Sequence, residues 1–501
     1  MRVAATTALT QRAQYVLSVR GAQSKETFSA KLSRRALLRA GLAVPMLAGC
    51  QSLMPKTAGT PPRTDVSVTA PFAMPAIAVP DFSACPRFAI TAFGAAQGGQ
   101  AATSAALARA IAAAHAAGGG VVVVPPGTWP TGPIHLKSHV GLHVEEGATL
   151  LFSPDPRDYL PPVPTSWEGL ECMNYSPLVY AHECENVALT GRGTLRARLD
   201  VWRSWYARPK AHMDALVALY EMACRDGVPV ERRDMTTSQA NLRPHFIQFN
   251  RCRHVLVEDV HIVDSPFWVL HPYLCRDVVI RRVDIAAHGH NNDGVDPEMS
   301  QNVLIDGCTF DQGDDAVSVK SGRDRDAWRI GVPSRNIVMR RCRIKNGHQL
   351  MAIGSELSGG VENVFVEDCH FDHADSSVPS TINNLLYVKT NERRGGYVRN
   401  IHMTNVSATR IKGGVLAVET DVLYQWKTLM PTLERRLTPI EGLFVSGVRV
   451  DDAGFVCLVK GEAELPVCDV HLRDVAVRKV RGTPVVTEHV AGFDNRADVP
   501  A

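Results

Sequence analysis

Two short segments, NNDGVDPE (Asn291 to Glu298) and GDDAVSVKSG (Gly313 to Gly322), hold the densest polar chemistry of the chain. Asp293 and Asp314 are 21 residues apart, and Asp315 follows at once. In a chain that winds in coils of about that length, such residues fall on adjacent rungs about 4.8 Å apart. Three carboxylates packed this closely cannot all ionise freely, so one is expected to keep a raised pKa and serve as an acid. Glycosidic cleavage needs that equipment: a protonated carboxyl for the leaving oxygen and a carboxylate to activate water. Asp-Gly turn chemistry accounts for Asp293-Gly294 alone, and calcium binding is the other use of clustered carboxylates. Turn chemistry does not account for Asp314 and Asp315 entering the strand-like run AVSVK. Further along, GHQLMAIGSE supplies His348, and LLYVKTNERRGG supplies Tyr387, Lys389, Arg393 and Arg394. Each stretch precedes or ends a strand one or more coils after the carboxylates, so these residues are expected on the same face.

The elements that must position these residues are repeats. An apolar residue recurs at a start position and at +2, +5 and +7: VLVEDVHI from Val255, VVIRRVDI from Val278, VLIDGCTF from Val303, IVMRRCRI from Ile337. VFVEDCHF from Val364, IHMTNVSA from Ile401, LFVSGVRV from Leu443 and VHLRDVAV from Val470 complete the set. The starts are separated by 23, 25, 34, 27, 37, 42 and 27 residues. Constant short strands with variable insertions describe a solenoid, because extra chain can leave only at the turns. Positions 0 and +2 alternate as a strand, the shift to +5 marks a bend, and +5 and +7 alternate again. Two strands meeting at a corner and stacked coil on coil predict an all-β, right-handed parallel β-helix. Cys308, Cys342 and Cys369 occupy the +5 slot, and Cys184, Cys252 and Cys275 precede a coil by three residues. They are expected as buried thiols in an internal ladder, although neighbouring rungs are close enough for a disulfide.

Ahead of the repeats, the Ala-rich run 101–117 predicts a helix ended by Gly118-Gly119-Gly120 and followed by a buried strand, VVVV from Val121. A helix that plugs the first coil is what a solenoid end requires. Residues 196–245 interrupt the repeats with Trp202, Trp205, Tyr206 and a helical stretch near 211–224. They are expected beside the cleft, where the tryptophans either pack or stack on substrate.

Composition sets the outer limits. With 501 residues, 45% of them hydrophobic and 21% charged, the chain has the make-up of a folded domain and not of a disordered one. It has no run of about 20 apolar residues that would span a membrane. The formal charge of +3 is carried by the first 49 residues, which hold eight basic and one acidic residue. The remainder is net −4, which gives no ground for nucleic-acid binding. SRRALLRAGLAVPMLAGC (33–50) resembles a twin-arginine export signal running into a lipobox, with Cys50 as the lipidated residue. The expected organisation is a signal over 1–50, a Pro/Ala/Thr-rich tether over 51–80 and a catalytic β-helix over 81–485 with its 196–245 insertion. A tail over 486–501 completes it.

The order NNDG, GDD, GHQ and YVK, with LRPHFIQF before it, resembles the polygalacturonase family, glycoside hydrolase family 28, over about residues 87–480. The resemblance implies a parallel β-helix that cleaves α-linked galacturonate chains with inversion, without metal or cofactor. Asp314 then corresponds to the general acid, and Asp293 and Asp315 to the pair that activates water. His348 corresponds to the supporting histidine and Lys389 to the cation that holds the substrate carboxylate. Gln349 stands where the family pattern has a second Gly, and Tyr387 stands where it has Arg. Arg393 or Arg394 could replace that charge, or the substrate could be another pectic chain such as rhamnogalacturonan. Arg410-Ile411-Lys412 spells the missing motif but lies in the wrong context, just past a coil start. A lyase of the same fold and a non-catalytic carbohydrate-binding β-helix are the competing readings. The partner expected is an acidic pectic polysaccharide met by a monomer. The address expected is the cell envelope or periplasm, with an outer-membrane lipid as the sole tie to a membrane.

Overall fold

The apolar start positions of the repeats lie side by side in the computed structural model, which describes residues 59–373, 376 and 382–498. Val255, Val278, Val303, Ile337, Val364, Ile401, Leu443 and Val470 pair in succession, all parallel. Seven residues on, Ile262, Ile285, Phe310, Ile344, Phe371, Ala408, Val450 and Val477 form a second parallel ladder. Both ladders point inward into one continuous apolar core. The chain is a right-handed parallel β-helix.

Two corner positions make the winding repeat. The residue at +4 of each coil (Asp259, Arg282, Gly307, Arg341, Asp368, Asn405, Gly447 and Asp474) is left-handed, with φ between 51° and 66°. Gly307 and Gly447 adopt this without strain, whereas the other side chains must be held there by the strands on either side. The residue before each start is left-handed as well, from His254 to Asp469. Four of these are asparagines in a ladder: Asn302 donates to Asp277 at 2.8 Å, Asn336 to Asn302 at 3.0 Å, Asn363 to Asn336 at 2.9 Å and Asn400 to Asn363 at 2.6 Å. Asparagine tolerates the left-handed region, and its amide both donates and accepts, so the corner is satisfied from coil to coil.

The coil has a third side that the two-strand reading omits. Leu270–Tyr273, Val317–Val319, Gln349–Gly354, Asn384–Lys389 and Leu416–Glu419 form it, with Val295 bridging Leu270 and Val317. Its inward residues, among them Val317, Val319, Met351, Ile353, Leu386 and Val388, join the core. The capping helix runs over Gln100–Ala116 and sets Leu107, Ala110, Ile111 and Ala114 on Val122, Val124 and Trp129 of the first coils. Cys184, Cys252, Cys275, Cys308, Cys342 and Cys369 are buried free thiols.

Three expectations about chain organisation change. Residues 59–80, placed in a flexible tether, are instead a strap built into the fold. Arg63–Val66 pairs antiparallel with Ile77–Pro80, and Val68, Ile77 and Val79 lie on Ala188, Leu256, Val279, Leu304, Val338 and Phe365. Those residues sit one position after each start and face outward, so the strap keeps a second apolar face dry. The strands Val485–Glu488 and Val490–Asp498 carry the solenoid through what was expected as a tail. Trp202 and Trp205 are buried, packing on Tyr159 and Tyr175 at centroid distances of 5.6 and 5.7 Å, and so do not face substrate. The signal over 1–50 with Cys50, and the tether over 51–58, lie outside the described residues. Among the described residues no helix is long and apolar enough to cross a membrane.

The insertion folds as Trp202–Trp205, the helix Lys210–Tyr220 and a single π turn at Glu221–Arg225. Leu216, Leu219 and Tyr220 join Trp167, Phe267, Trp268, Trp426 and Met430 in a second apolar cluster outside the coils. This cluster supports the walls of a cleft on the third sheet.

Candidate active site

Strand alternation turns Ser318, Ala352 and Tyr387 outward from the third sheet while their neighbours fill the core. A cleft of about 410 Å³ opens on this side of the coils. Trp268 and Trp426, supported by the second cluster, are among its walls. Asp293, Asp314 and Asp315 all line it, as do His348, Tyr387, Lys389 and Arg394. Asp293 comes from one coil, the Asp pair from the next, His348 from the one after and Lys389 from a fourth.

The carboxylates differ sharply in their surroundings. Burial, the charge of Asp314 and then that of Asp315, opposed by Lys320, push Asp293 up to about 8. Burial would raise Asp314 too, but the hydrogen bond and charge of His348, with Lys389 and Lys320 behind, hold it down at about 2. His348 Nδ1 donates to Asp314 Oδ1 at 3.0 Å, and that bond raises the imidazole in return. Asp315 Oδ2 accepts from Lys389 Nζ at 2.7 Å. One carboxyl of the three therefore keeps its proton near neutrality, and it is Asp293 and not Asp314, the residue that the family resemblance makes the acid. The difference follows from partners: Asp314 has a cationic imidazole against it, whereas Asp293 shares Lys320, 3.6 Å away, with two other carboxylates.

The remaining expected residues divide. Tyr387 Oη donates to Glu419 Oε2 at 2.7 Å, so an acidic group stands behind the position that lost its arginine. Arg394 lines the cleft, paired with Asp324 at 2.6 Å. Arg393 does not line it: its guanidinium donates to the carbonyls of Trp426 and Met430 and to Thr432, which fixes the wall loop from beneath. Gln349 opens its strand by accepting the Asn384 N–H through Oε1 at 3.0 Å, a structural use of the departure from Gly. Arg410 lies at the end of a second-sheet strand with its side chain 75% exposed, outside the cleft. Asp314, Asp315 and His348 offer ligand atoms within 4.8 Å of one another. Lys389 Nζ already holds Asp315 Oδ2 and His348 Nδ1 holds Asp314 Oδ1, whereas Asp315 Oδ1 has no hydrogen-bond partner among the described residues.

The sequence model of glycosyl hydrolases family 28 matches residues 231–490, more than half of the chain and all of the cleft coils. The chain belongs to that family. Among solved structures, an exopolygalacturonase from Thermotoga maritima is 36% identical, with a TM-score of 0.75, covering 84% of this chain and 94% of its own. A family 28 exopolygalacturonase from Yersinia enterocolitica, 17% identical at a TM-score of 0.66 over 85% of this chain and 81% of its own, shares the fold. A probable polygalacturonase from Vitis vinifera is 27% identical over 58% of this chain and 53% of its own length. The chain spans about half the length of the curated relatives it matches.

This family 28 cleft rests on residues that motif reading passed over. Lys320, at the end of the quoted GDDAVSVK run, stands 3.6 Å from Asp293, 3.5 Å from Asp296 and 3.6 Å from Glu356. Burial, aided by the charge of Asp293, pushes Asp296 well above the carboxylate range. Beside it a neutral chain runs under the hairpin Val163–Trp167/Leu170–Asn174. Thr165 donates to Gln248 at 2.9 Å, Gln248 to His271 Nδ1 at 3.0 Å, and His271 Nε2 to Glu298 at 2.9 Å. Burial, then the charge of Glu356, raises Glu298 to about 8. A carboxyl raised on folding stabilises the fold below its unfolded pKa and loses that contribution as pH rises through the folded value. Denaturant unfolding should therefore show the wild type losing stability between pH 5 and pH 9. Glu298→Gln should show a shallower loss over the same range. Parallel profiles for the two proteins would mean that Glu298 is ionised throughout.

Proposed function

We propose that the protein hydrolyses α-linked galacturonate chains of pectin with inversion, taking units from a chain end. The observation that carries this is the meeting of Asp293, Asp314 and Asp315 in one cleft, with one carboxyl protonated near neutrality and the others bound to cations. The glycosidic C–O bond breaks as a carboxyl proton passes to the leaving oxygen. Water bonds to the anomeric carbon from the opposite face and yields its proton to a carboxylate. Asp314 is assigned as the acid once the Asp293 proton has passed to it, which leaves Asp293 and Asp315 as the carboxylates on water. Lys389 serves two ends, holding Asp315 and meeting a substrate carboxylate.

Exo-action is supported by the blocked end of the groove. Gln248, His271 and Glu298 continue the outward face of the third sheet beyond Asp293, yet all three are fully buried beneath the hairpin and insertion. The hairpin, not the tryptophan pair, closes that end. The Tyr387–Glu419 bond favours a second reading of the same chemistry, in which the sugar at that position is neutral, as in a rhamnogalacturonan.

Product analysis on a panel of pectic oligosaccharides tests all of this. Monomers or dimers should appear first, with the β anomer leading in proton NMR. An early ladder of mid-length products would show an open groove, and an α product would overturn inversion. Unsaturated ends with chelator-sensitive activity would point to elimination. Unchanged oligomers with measurable binding would point to a carbohydrate-binding protein.

The export address is a separate proposal, supported by Ser33-Arg34-Arg35 and Leu47-Ala48-Gly49-Cys50. Cys50→Ser should leave the protein unprocessed or released from the envelope. Wild-type protein free in the medium without lipid would refute the anchor.

A further inference from the structure

A cleft that must hold a polyanion needs positive charge not already spent on the protein's own carboxylates. Most of the cleft's cations are spent. Lys320 faces Asp293, Asp296 and Glu356. Arg323 faces Glu356 at 2.8 Å and Glu168 at 3.2 Å. His348 is on Asp314, Lys389 on Asp315 and Arg394 on Asp324. Arg208 differs. It lines the same cleft, is half-buried, and its guanidinium has no hydrogen bond or ion pair among the described residues.

Its placement is built. The helix Trp202–Trp205 is fixed by the burial of both tryptophans, and the Arg208 N–H donates to the Trp205 carbonyl at 3.4 Å. Arg208 itself is left-handed, with φ 45°, a conformation rare for a long side chain and found where surrounding structure imposes it. It shares its end of the cleft with the His290–Asn291 loop, which Arg243 holds in turn. Arg243 Nη1 donates to the His290 carbonyl at 2.6 Å, and Nη2 to Asn291 Oδ1 at 3.0 Å. His290 is pushed down to about 4 by burial first and by the Arg208 charge second, so it remains neutral and leaves the guanidinium uncontested.

The coil order fixes what this end means. His290, Asn291 and Asp293 belong to the coil on one side of the Asp314–Asp315 coil, and Tyr387 and Lys389 to a coil on the other. We infer that Arg208, supplied by the insertion, binds the carboxylate of the galacturonate unit on the Asp293 side of the scissile bond, across the carboxylates from Lys389. This rests on the pectic reading above and names the residue through which an acidic sugar is recognised there. A guanidinium matches a carboxylate with two parallel hydrogen bonds and does so best where no protein carboxylate competes.

Calorimetric binding of digalacturonate and of its methyl diester to the full chain tests the inference without requiring turnover. Wild type should prefer the acid. Arg208→Gln should weaken acid binding by about tenfold or more and leave the ester within about twofold, erasing the preference. Arg208→Lys should restore part of it, since charge remains while the fork is lost. In kinetics on oligogalacturonate the Arg208→Gln loss should fall mainly on KM. Equal losses on acid and ester, or no loss on either, would overturn the role. A wild type that binds the acid no better than the ester would overturn it as well. If binding behaves as expected but no galacturonide is cleaved, the hydrolase reading fails and the carboxylate site stands.

Discussion

Asp314→Asn should lower kcat on oligogalacturonate by about 10²- to 10⁴-fold, the range that a positioned acid contributes. The substitution keeps the shape and the backbone bond from the His348 N–H to the Asp314 carbonyl, so the loss reports chemistry and not folding. It also tests who carries the proton. An activated aryl galacturonide has a leaving group that departs without protonation, so the variant should recover most of its rate on that substrate if Asp314 is the acid. Asp293→Asn should lose rate on both substrates if Asp293 belongs to the water-activating pair. The opposite pattern, with recovery in Asp293→Asn only, would move the acid to Asp293, whose carboxyl keeps its proton to about pH 8. Either way the wild-type rate should fall as pH rises through about 8 and the Asp293 proton is lost.

The second large effect is on stability. Lys320→Met should cost about 3–5 kcal/mol, the penalty for leaving buried charges unpaired. Its ammonium serves Asp293, Asp296 and Glu356, donates to Ser318 Oγ at 2.9 Å, and lies 4.6 Å from the centre of the Trp268 ring. Methionine fills a similar volume and removes the charge together with the bond to Ser318. Without the cation the carboxyls take up protons more readily, so the gap from wild type should narrow as pH falls from 8 to 5. A difference under about 1 kcal/mol at pH 8 would mean that the carboxyls are already neutral without help. An undiminished gap at pH 5 would place the cost in packing.

The first two sides of each coil were legible because their inward residues are uniformly apolar and their spacing never changes, as from Val303 to Phe310. The third side was not, because the cleft has overwritten its outward positions with Asp296, Ser318, Tyr387 and Lys389. Asparagine before the starts at Val303, Ile337, Val364 and Ile401 gains its meaning only when the coils are stacked. The strap is hidden because Pro, Ala and Thr make up over half of its composition, although Ile77 and Val79 alternate as a strand does. Asp293, Asp314, Asp315 and His348 could be found from short motifs because they precede or flank the third-side strands, and Lys389 because it closes one. Lys320 and Asp296 lay inside those same motifs, but their importance comes from neighbours on other coils. Arg208 lies in an irregular insertion, where no period marks a residue's destination.

The strap has a consequence for how the whole molecule holds together. A bare solenoid communicates only between adjacent coils, so its coils could loosen from one end while the rest persists. Here one segment touches outward residues from Ala188 to Phe365, binding coils nearly 180 residues apart in the chain to a common partner. Loss of any coil beneath it exposes strap and sheet together. The catalytic coils, the last four beneath the strap, should thereby melt with their neighbours as a single cooperative block, and a cut in the strap should return them to piecemeal fraying.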